Sequence, residues 1–339
     1  MDKNVKKSSE CTYGMIILSN FDKHLISEID LMGDHSVSSL ARNLSVSRTK
    51  IELALNRYEE NRFLTGYTSI FDLGSVGISC VAVYVRLGKQ TEDARHKLLE
   101  KLKGLSEVYW MARLWGQYDL LFAIQANSMQ EFSEKLGKIQ LKFPSILETE
   151  VAIRTRVVQF QRTYLWKGKQ DRRFIEFSSG KLGQKITERE RELSLELASN
   201  PRRAIVDLAK SLKSSRPVIY SNLKQLKASG FLRGVGSILD VNQIGIGVYH
   251  LLLRLRRTDT MSRKGLFEFC YGQDNITFCI ETIGRWQVEI CCEVESHNKL
   301  QQIIAQLRKA LSDNLIDLSI APFDNYYVKY KFDLGMVML

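Results

Sequence analysis

The sequence predicts an α+β protein in which one plan is written twice: three helices and a wing, then a βαββαβ sheet. Three observations carry that reading. The chain has 339 residues, of which 44% are hydrophobic and 26% charged, a globular composition with length enough for two or three cores. It also matches itself. At an offset of 168, residues 40–87 align with 208–255 without a gap and with 17 identities. They include Leu40/Leu208, Ala41/Ala209, Ser47/Ser215, Arg48/Arg216, Ile51/Ile219, Gly66/Gly234, Asp72/Asp240 and Gly77/Gly245. Finally, the hydrophobic period in each copy switches from about 3.6 to 2 after the third helix. It does so in "FLTGYTSIFDLGSVGI" at 63–78 and in "FLRGVGSILDVNQIGI" at 231–246. The repeat is too long for a solenoid and marks a doubled domain pair.

Residues 1–18 read as a tail: "MDKNVKKSSE" is charged, and "MIILS" is too short for a signal-peptide core. Residues 21–32 place Phe21, Leu25, Ile29 and Met32 on one helix face. A short helix at 36–43 carries Val37, Leu40 and Ala41, and 47–60 carries Ile51, Leu55 and Tyr58, with Ser47 as N-cap. Helix, short helix, turn and helix, with the small Ala41 allowing close approach, is a helix-turn-helix plan. "GYTSIFDLG" supplies its wing. A strand at 79–87, a helix near 91–103 and strands at 107–115 and 119–126 around the turn "GQYD" come next. A helix at 129–142 opens with a Ser128/Glu131 capping-box pattern and stops before Pro144; a long strand begins near 147. That order predicts a ferredoxin-like sheet with two helices on one face. Between the copies, "KGKQDRRFIEFSSGKLGQK" reads as a basic, solvated linker. The predicted domains are a tail (1–18), a winged helix-turn-helix (19–73), a sheet domain (74–166), a linker (167–186), a second winged helix-turn-helix (187–241) and a second sheet domain (242–335).

The formal charge of +11 calls for an anionic partner, either nucleic acid or a membrane surface. No apolar run approaches the roughly 18 residues of a membrane span. Six cysteines without CxxC spacing read as small buried hydrophobes in a reducing cytoplasm. Five scattered histidines without HExxH give no expectation of a metal, and no cofactor is implied. Without a nucleophile elbow, P-loop or dinucleotide fingerprint, no catalysis is expected.

"LARNLSVSRTKI" followed by "YEENRFLTGY", and "LAKSLKSSRPVI" followed by "LKASGFLRGV", carry a further signal, as does "GQYD" at 116–119. On these residues the chain resembles the Lrp/AsnC (feast/famine) transcription regulators, once per half. The resemblance implies sequence-specific binding of double-stranded DNA and a sheet (RAM-type) domain that makes oligomer contacts. It also implies an amino-acid effector near the turn, at Gly116, Tyr118 and Asp119. The second copy reads "GRWQ" at 284–287 and lacks the acid, which puts an effector site there in doubt. Two units in one chain imply a covalent pseudo-dimer, or a larger assembly built from such chains.

A recognition helix reaches base edges with outward side chains near its N-terminus. By that rule and by position in the family, the first copy offers Ser47, Arg48, Lys50 and Arg57. The second offers Ser215, Arg216, Tyr220, Ser221, Asn222 and Lys224. Residues 20–72 hold six Lys/Arg against eight Asp/Glu, whereas 188–240 hold ten against six. Phosphate neutralisation supplies much of DNA affinity, so the second reader is expected to dominate, with the first divergent or architectural. Arg62 also stands where the second copy has Gly230. One alternative comes from enzymes resembling this family that decarboxylate sirohaem. Such a site wants histidines and arginines around a tetrapyrrole, and strands 107–126 and 275–294 offer only Arg113 and Arg285.

Overall fold

The computed structural model describes residues 16–89, 91–168, 171–177 and 183–325. The first head consists of α1 (Asn20–Ile29), α2 (Val37–Asn43), α3 (Arg48–Glu60) and β1 (Leu64–Phe71). Ser47 caps the third helix with its hydroxyl, as expected, and Ser36 caps the second in the same way. The first helix ends three residues earlier than predicted. Its chain leaves the helical path so that Met32 can bridge Val235 of the other half. Residues 1–15 of the predicted tail lie outside the described residues, but its last three belong to the fold. Ile16 donates its N–H to the Gln243 carbonyl at 2.8 Å, and Ile16 and Leu18 pack on the core.

After a 3₁₀ turn at Leu73–Val76 come β2 (Ser79–Leu87), α4 (Glu92–Lys103), β3 (Val108–Leu114), β4 (Leu120–Ala126), α5 (Met129–Lys142) and β5 (Ile146–Phe160). The predicted order holds to within about two residues. The capping box at Ser128 is only half formed. Ser128 Oγ accepts from Glu131 N at 3.1 Å, but the Glu131 carboxylate reaches Asn127 N at 2.9 Å instead of Ser128 N. The linker is not simply solvated either. Phe174–Phe177 form β6, antiparallel to the end of β5, and the buried Arg172 guanidinium donates to the carbonyls of Gln161, Cys270, Gln273 and Ile276. Carbonyls left open at a helix end need donors, and this connector supplies one.

The same order then recurs: α6 (Glu188–Ser199), α7 (Ile205–Ser211), α8 (Arg216–Ala228), β7 (Leu232–Leu239), β8 (Gly247–Leu255), α9 (Thr260–Gly272), β9 (Ile276–Gly284), β10 (Val288–Val294), α10 (His297–Leu311) and β11 (Leu315–Asn325). Positions 326–335 of the predicted second sheet domain lie outside the described residues.

The two sheets expected from sequence are one. Each of the eight strands finds a neighbour on both sides, in the circular order β2, β4, β3, β11, β8, β10, β9, β5 and back to β2. Closure of this kind satisfies edges that would otherwise be exposed. At the seam between β5 and β9, Ala152 lies opposite Gly284. A Cβ on Gly284 would stand 2.5 Å from the Val151 carbonyl oxygen, so only glycine permits this approach. Alternation assigns the two faces. Val81, Val83 and Val85 pack outward under α4 and α5 with Leu102, Phe132 and Ile139. Leu251 and Leu253 do the same in the second half with Leu266, Leu300 and Ile304. Ala82, Tyr84, Leu121 and Leu252 belong to the interior core that continues into the heads.

The duplicated stretch explains how the heads are joined. β1 pairs antiparallel with β7, and Thr68 lies opposite Gly236. Those two residues are themselves 168 apart, so a pseudo-two-fold axis passes through the middle of the ribbon. Its ends are tied reciprocally: Asp72 N donates to Phe231 O and Asp240 N to Phe63 O, both at 2.8 Å. Gly77 and Gly245 close the following 3₁₀ turns at φ 84° and 78°, a left-handed conformation that favours glycine.

Candidate functional site

The outward faces of α3 and α8 differ, and the residues expected to touch DNA are placed differently on the two. Arg48 and Lys50 are exposed; Arg48 lies 3.9 Å from Glu52, and Lys50 Nζ sits 4.3 Å over the Phe21 ring. Ser47 Oγ is occupied by Lys50 N at 3.2 Å. Arg57 is committed elsewhere, since its guanidinium is bound to Asp22, which also accepts from Tyr58 Oη at 2.6 Å. Burial alone would raise the Asp22 pKa, but hydrogen bonds from Ser19 and Tyr58, with the Arg57 charge, hold it below the usual carboxylate value. Arg57 is thus tied to the buried Asp22 while about half of its own side chain stays exposed, 51%. Where the second head has Ser221, the first exposes Leu53, 66% accessible.

On α8, Arg216, Ser221 and Lys224 are exposed, Asn222 is half-buried and Tyr220 is 61% exposed. Ser215 makes no capping hydrogen bond, so its hydroxyl is not consumed by the helix. This face has no acidic residue: its sequence from Arg216 to Ala228 is RPVIYSNLKQLKA.

The turn expected to hold an amino acid also has a task in the fold. Asp119 accepts from Leu87 N at 2.8 Å with one oxygen and from Arg95 at 2.9 Å with the other. Tyr118 is buried, its ring 5.3 Å from Tyr84 and 6.1 Å from Trp286. Gly116, at φ 97°, shapes the bend. The second copy shows the same task performed without the acid. Gln287 Oε1 accepts from Leu255 N at 2.8 Å, and Leu255 lies 168 residues after Leu87. The common chemistry at this position is satisfying a strand N–H.

Sequence reasoning missed the polar set inside the barrel. Arg154 lies 3.3 Å from Glu289, which also accepts from Trp286 Nε1 at 3.1 Å. His250 Nδ1 is 3.3 Å from Tyr84 Oη. Burial first, and the Arg154 charge second, push His250 down to about 3. Arg154 and His250 come from β5 and β8, not from the strand pairs in which histidines and arginines were sought. The available signal was a lone Arg or His in a run of apolar residues, as in "VAIR" and "VYHLLL". Burial pushes the Cys80 thiol up to about 11 and Cys291 up to about 12, which leaves both as small apolar groups at neutral pH. Among the described residues, no group of three His, Cys, Asp or Glu is placed to hold a metal, and no helix is long and apolar enough to cross a membrane.

Residues 80–163, which span β2 to β5, match the Lrp/AsnC ligand binding domain. An uncharacterised HTH-type transcriptional regulator of Pyrococcus furiosus is 26% identical over 42% of this chain and 94% of its own length. The leucine-responsive regulatory protein of Escherichia coli is 22% identical over 40% of this chain and 84% of its own. One solved structure is similar over both halves at once: the siroheme decarboxylase NirDL, with a TM-score of 0.58, 13% identity, and 93% of this chain and 96% of that one covered. At that identity the likeness is one of fold. The chain thus carries a Lrp/AsnC ligand binding domain at residues 80–163 and is a homologue of the Lrp/AsnC-family transcriptional regulators.

Proposed function

We propose that the chain is a sequence-specific DNA-binding regulator. Its two winged helix-turn-helix heads, 19–73 and 187–241, read unequal half-sites while the sheet domains, 74–166 and 242–335, hold them together. The observation that carries this reading is the unlike outward faces of α3 and α8. The second is basic and polar with an unspent Ser215 hydroxyl; the first has Leu53, a Glu52-paired Arg48 and an internally bound Arg57. Base-contacting side chains are worth roughly 1–3 kcal/mol each. In mobility-shift titrations on a site selected from random DNA, Arg216→Ala/Lys224→Ala therefore weakens binding by at least about tenfold, and Arg48→Ala/Lys50→Ala by much less. Equal losses would defeat the asymmetry. Trp115 and Ile283, 61% and 62% exposed at positions 168 apart, support further assembly between copies of the chain.

A second reading, a sirohaem decarboxylase-like enzyme, draws on the full-length similarity to NirDL and on the barrel's Arg154 and His250. The barrel's own cavity, about 100 Å³, is too small for a tetrapyrrole, since pockets for ligands of ordinary size run to roughly 300–1,000 Å³; a wider surface cavity of about 670 Å³, lined by His24, Arg172 and Arg173, leaves the decision to titration. Titration with sirohaem, followed in the Soret region, separates the two readings: a saturable new band would favour the enzyme.

A further inference from the structure

The polar set in the barrel is one-sided. Moving each member by the 168-residue offset turns Tyr84 into Leu252, Glu289 into Leu121 and His250 into Ala82. Arg154 lies opposite Cys80. Continuing the second half's register by one residue beyond Pro322 opposite Tyr249 gives Phe323 as its counterpart. The same framework therefore closes with apolar residues at all four counterpart positions. Burying charge without need is costly, so a purely structural barrel gains nothing from these four groups.

Two of them, Arg154 and His250, also border a space. A cavity of about 100 Å³ lies between the barrel and the underside of the β1–β7 ribbon. Ser69, Ile70 and Phe71 form its roof, and Trp110, Phe278 and Ile280 supply apolar walls. Arg154 and His250 line it as well. Arg154 is 9% exposed in its side chain, and its buried Nε–H meets no acceptor among the described residues. A buried donor left unmade costs about 1–3 kcal/mol, and a ligand oxygen would recover that loss.

We infer that this cavity is an effector site for a small uncharged molecule bearing one carbonyl or hydroxyl oxygen on a short apolar body. The inference rests on the regulator reading. The charge of the ligand follows from the neighbours. Glu289 already neutralises Arg154, so a carboxylate or zwitterion would bring uncompensated charge into a dry site. Its size follows from the volume, which is below the ~150 Å³ that holds benzene and leaves room for roughly four or five heavy atoms. The roof gives the site its consequence. Ser69 Oγ donates to the Leu197 carbonyl of α6 at 2.8 Å, and the Phe71 ring lies 5.2 Å from Phe231. A ligand pressing on the ribbon shifts the seating of the second head directly.

Propionamide is a suitable probe, with butyrate and alanine as charged comparators, on the full chain. Trp110 fluorescence and the melting temperature should respond saturably at millimolar propionamide, and much less to either comparator. Cys291→Leu and, independently, Cys80→Leu fill the cavity and should abolish the response while the chain stays folded. Operator affinity of the wild type should change by at least threefold with propionamide. No saturable response, an undiminished response in both filled variants, or equal binding of butyrate would overturn the inference, as would density for a trapped water alone at saturating propionamide. Operator binding without any probe tests the regulator reading separately: its absence, with propionamide still bound, would remove the regulator and leave the cavity a ligand site.

Discussion

At the scale of single residues, His250 is the most exacting test of the barrel interior. A histidine in an unfolded chain titrates near 6.5, whereas this one is driven to about 3 by burial and by Arg154. Below about pH 6.5 the unfolded chain takes up a proton that the folded chain refuses. Stability is therefore full above that pH and falls as pH drops from about 6.5 toward 3. Urea unfolding at a series of pH values should show this decline in the wild type. His250→Ala, which copies the residue at Ala82, should decline less steeply over the same window. Identical slopes would mean that the imidazole is not held neutral. Strand alternation made the inward parity of His250 and Arg154 readable. It could not reveal that they share one space, because they sit on strands of different halves that meet only through closure. The Arg57–Asp22 pair was hidden for a related reason: its members are 35 residues apart, beyond the reach of helical spacing.

At the scale of elements, the end of α3 shows what the second copy kept and the first lost. Gly230 closes α8 at φ 78°, and Arg62 occupies the matching place at φ 56°. The left-handed conformation costs a side-chain-bearing residue about 1–2 kcal/mol, part of which glycine returns through its looser unfolded state. Arg62→Gly should accordingly stabilise the protein by about 0.5–1 kcal/mol, read as a higher urea midpoint with an unchanged slope. A fall in the midpoint would mean that the Arg62 side chain contributes more than its backbone costs. Most elements were legible from hydrophobic period and caps because those signals are local. The last turn of α1 was misjudged because Leu31 and Met32 continue the helical period while Val235, two hundred residues on, claims the backbone. The "GQYD" turn was legible as a turn, but the backbone task of its acid was not. Asp119 and Gln287 do the same backbone task, and only one of them looks like chemistry.

At the scale of the molecule, the internal repeat was visible but the joining of its two copies was not, since no local pattern names a strand's partner across roughly 130 residues. Arg162 is the strongest tie so revealed. It donates to Asp30 at 2.5 Å and, through two nitrogens, to Glu293 at 2.8 and 2.9 Å, while Tyr164 Oη donates to Glu293 at 2.5 Å. Both carboxylates are fully buried. The first head is thus fastened to β10 of the opposite half. Arg162→Met strands two buried acids, a loss of roughly 3–5 kcal/mol. Hydrogen exchange should then quicken in α1–α3 well before α6–α8; uniform quickening would show that the tie serves the whole fold instead. The ribbon through Thr68 and Gly236 has one more consequence. In a regulator assembled from separate chains, partners dissociate on dilution and exchange with relatives. Here both strands belong to one polypeptide, so each head meets its companion at a fixed effective concentration. The pairing of the two heads is insulated from expression level.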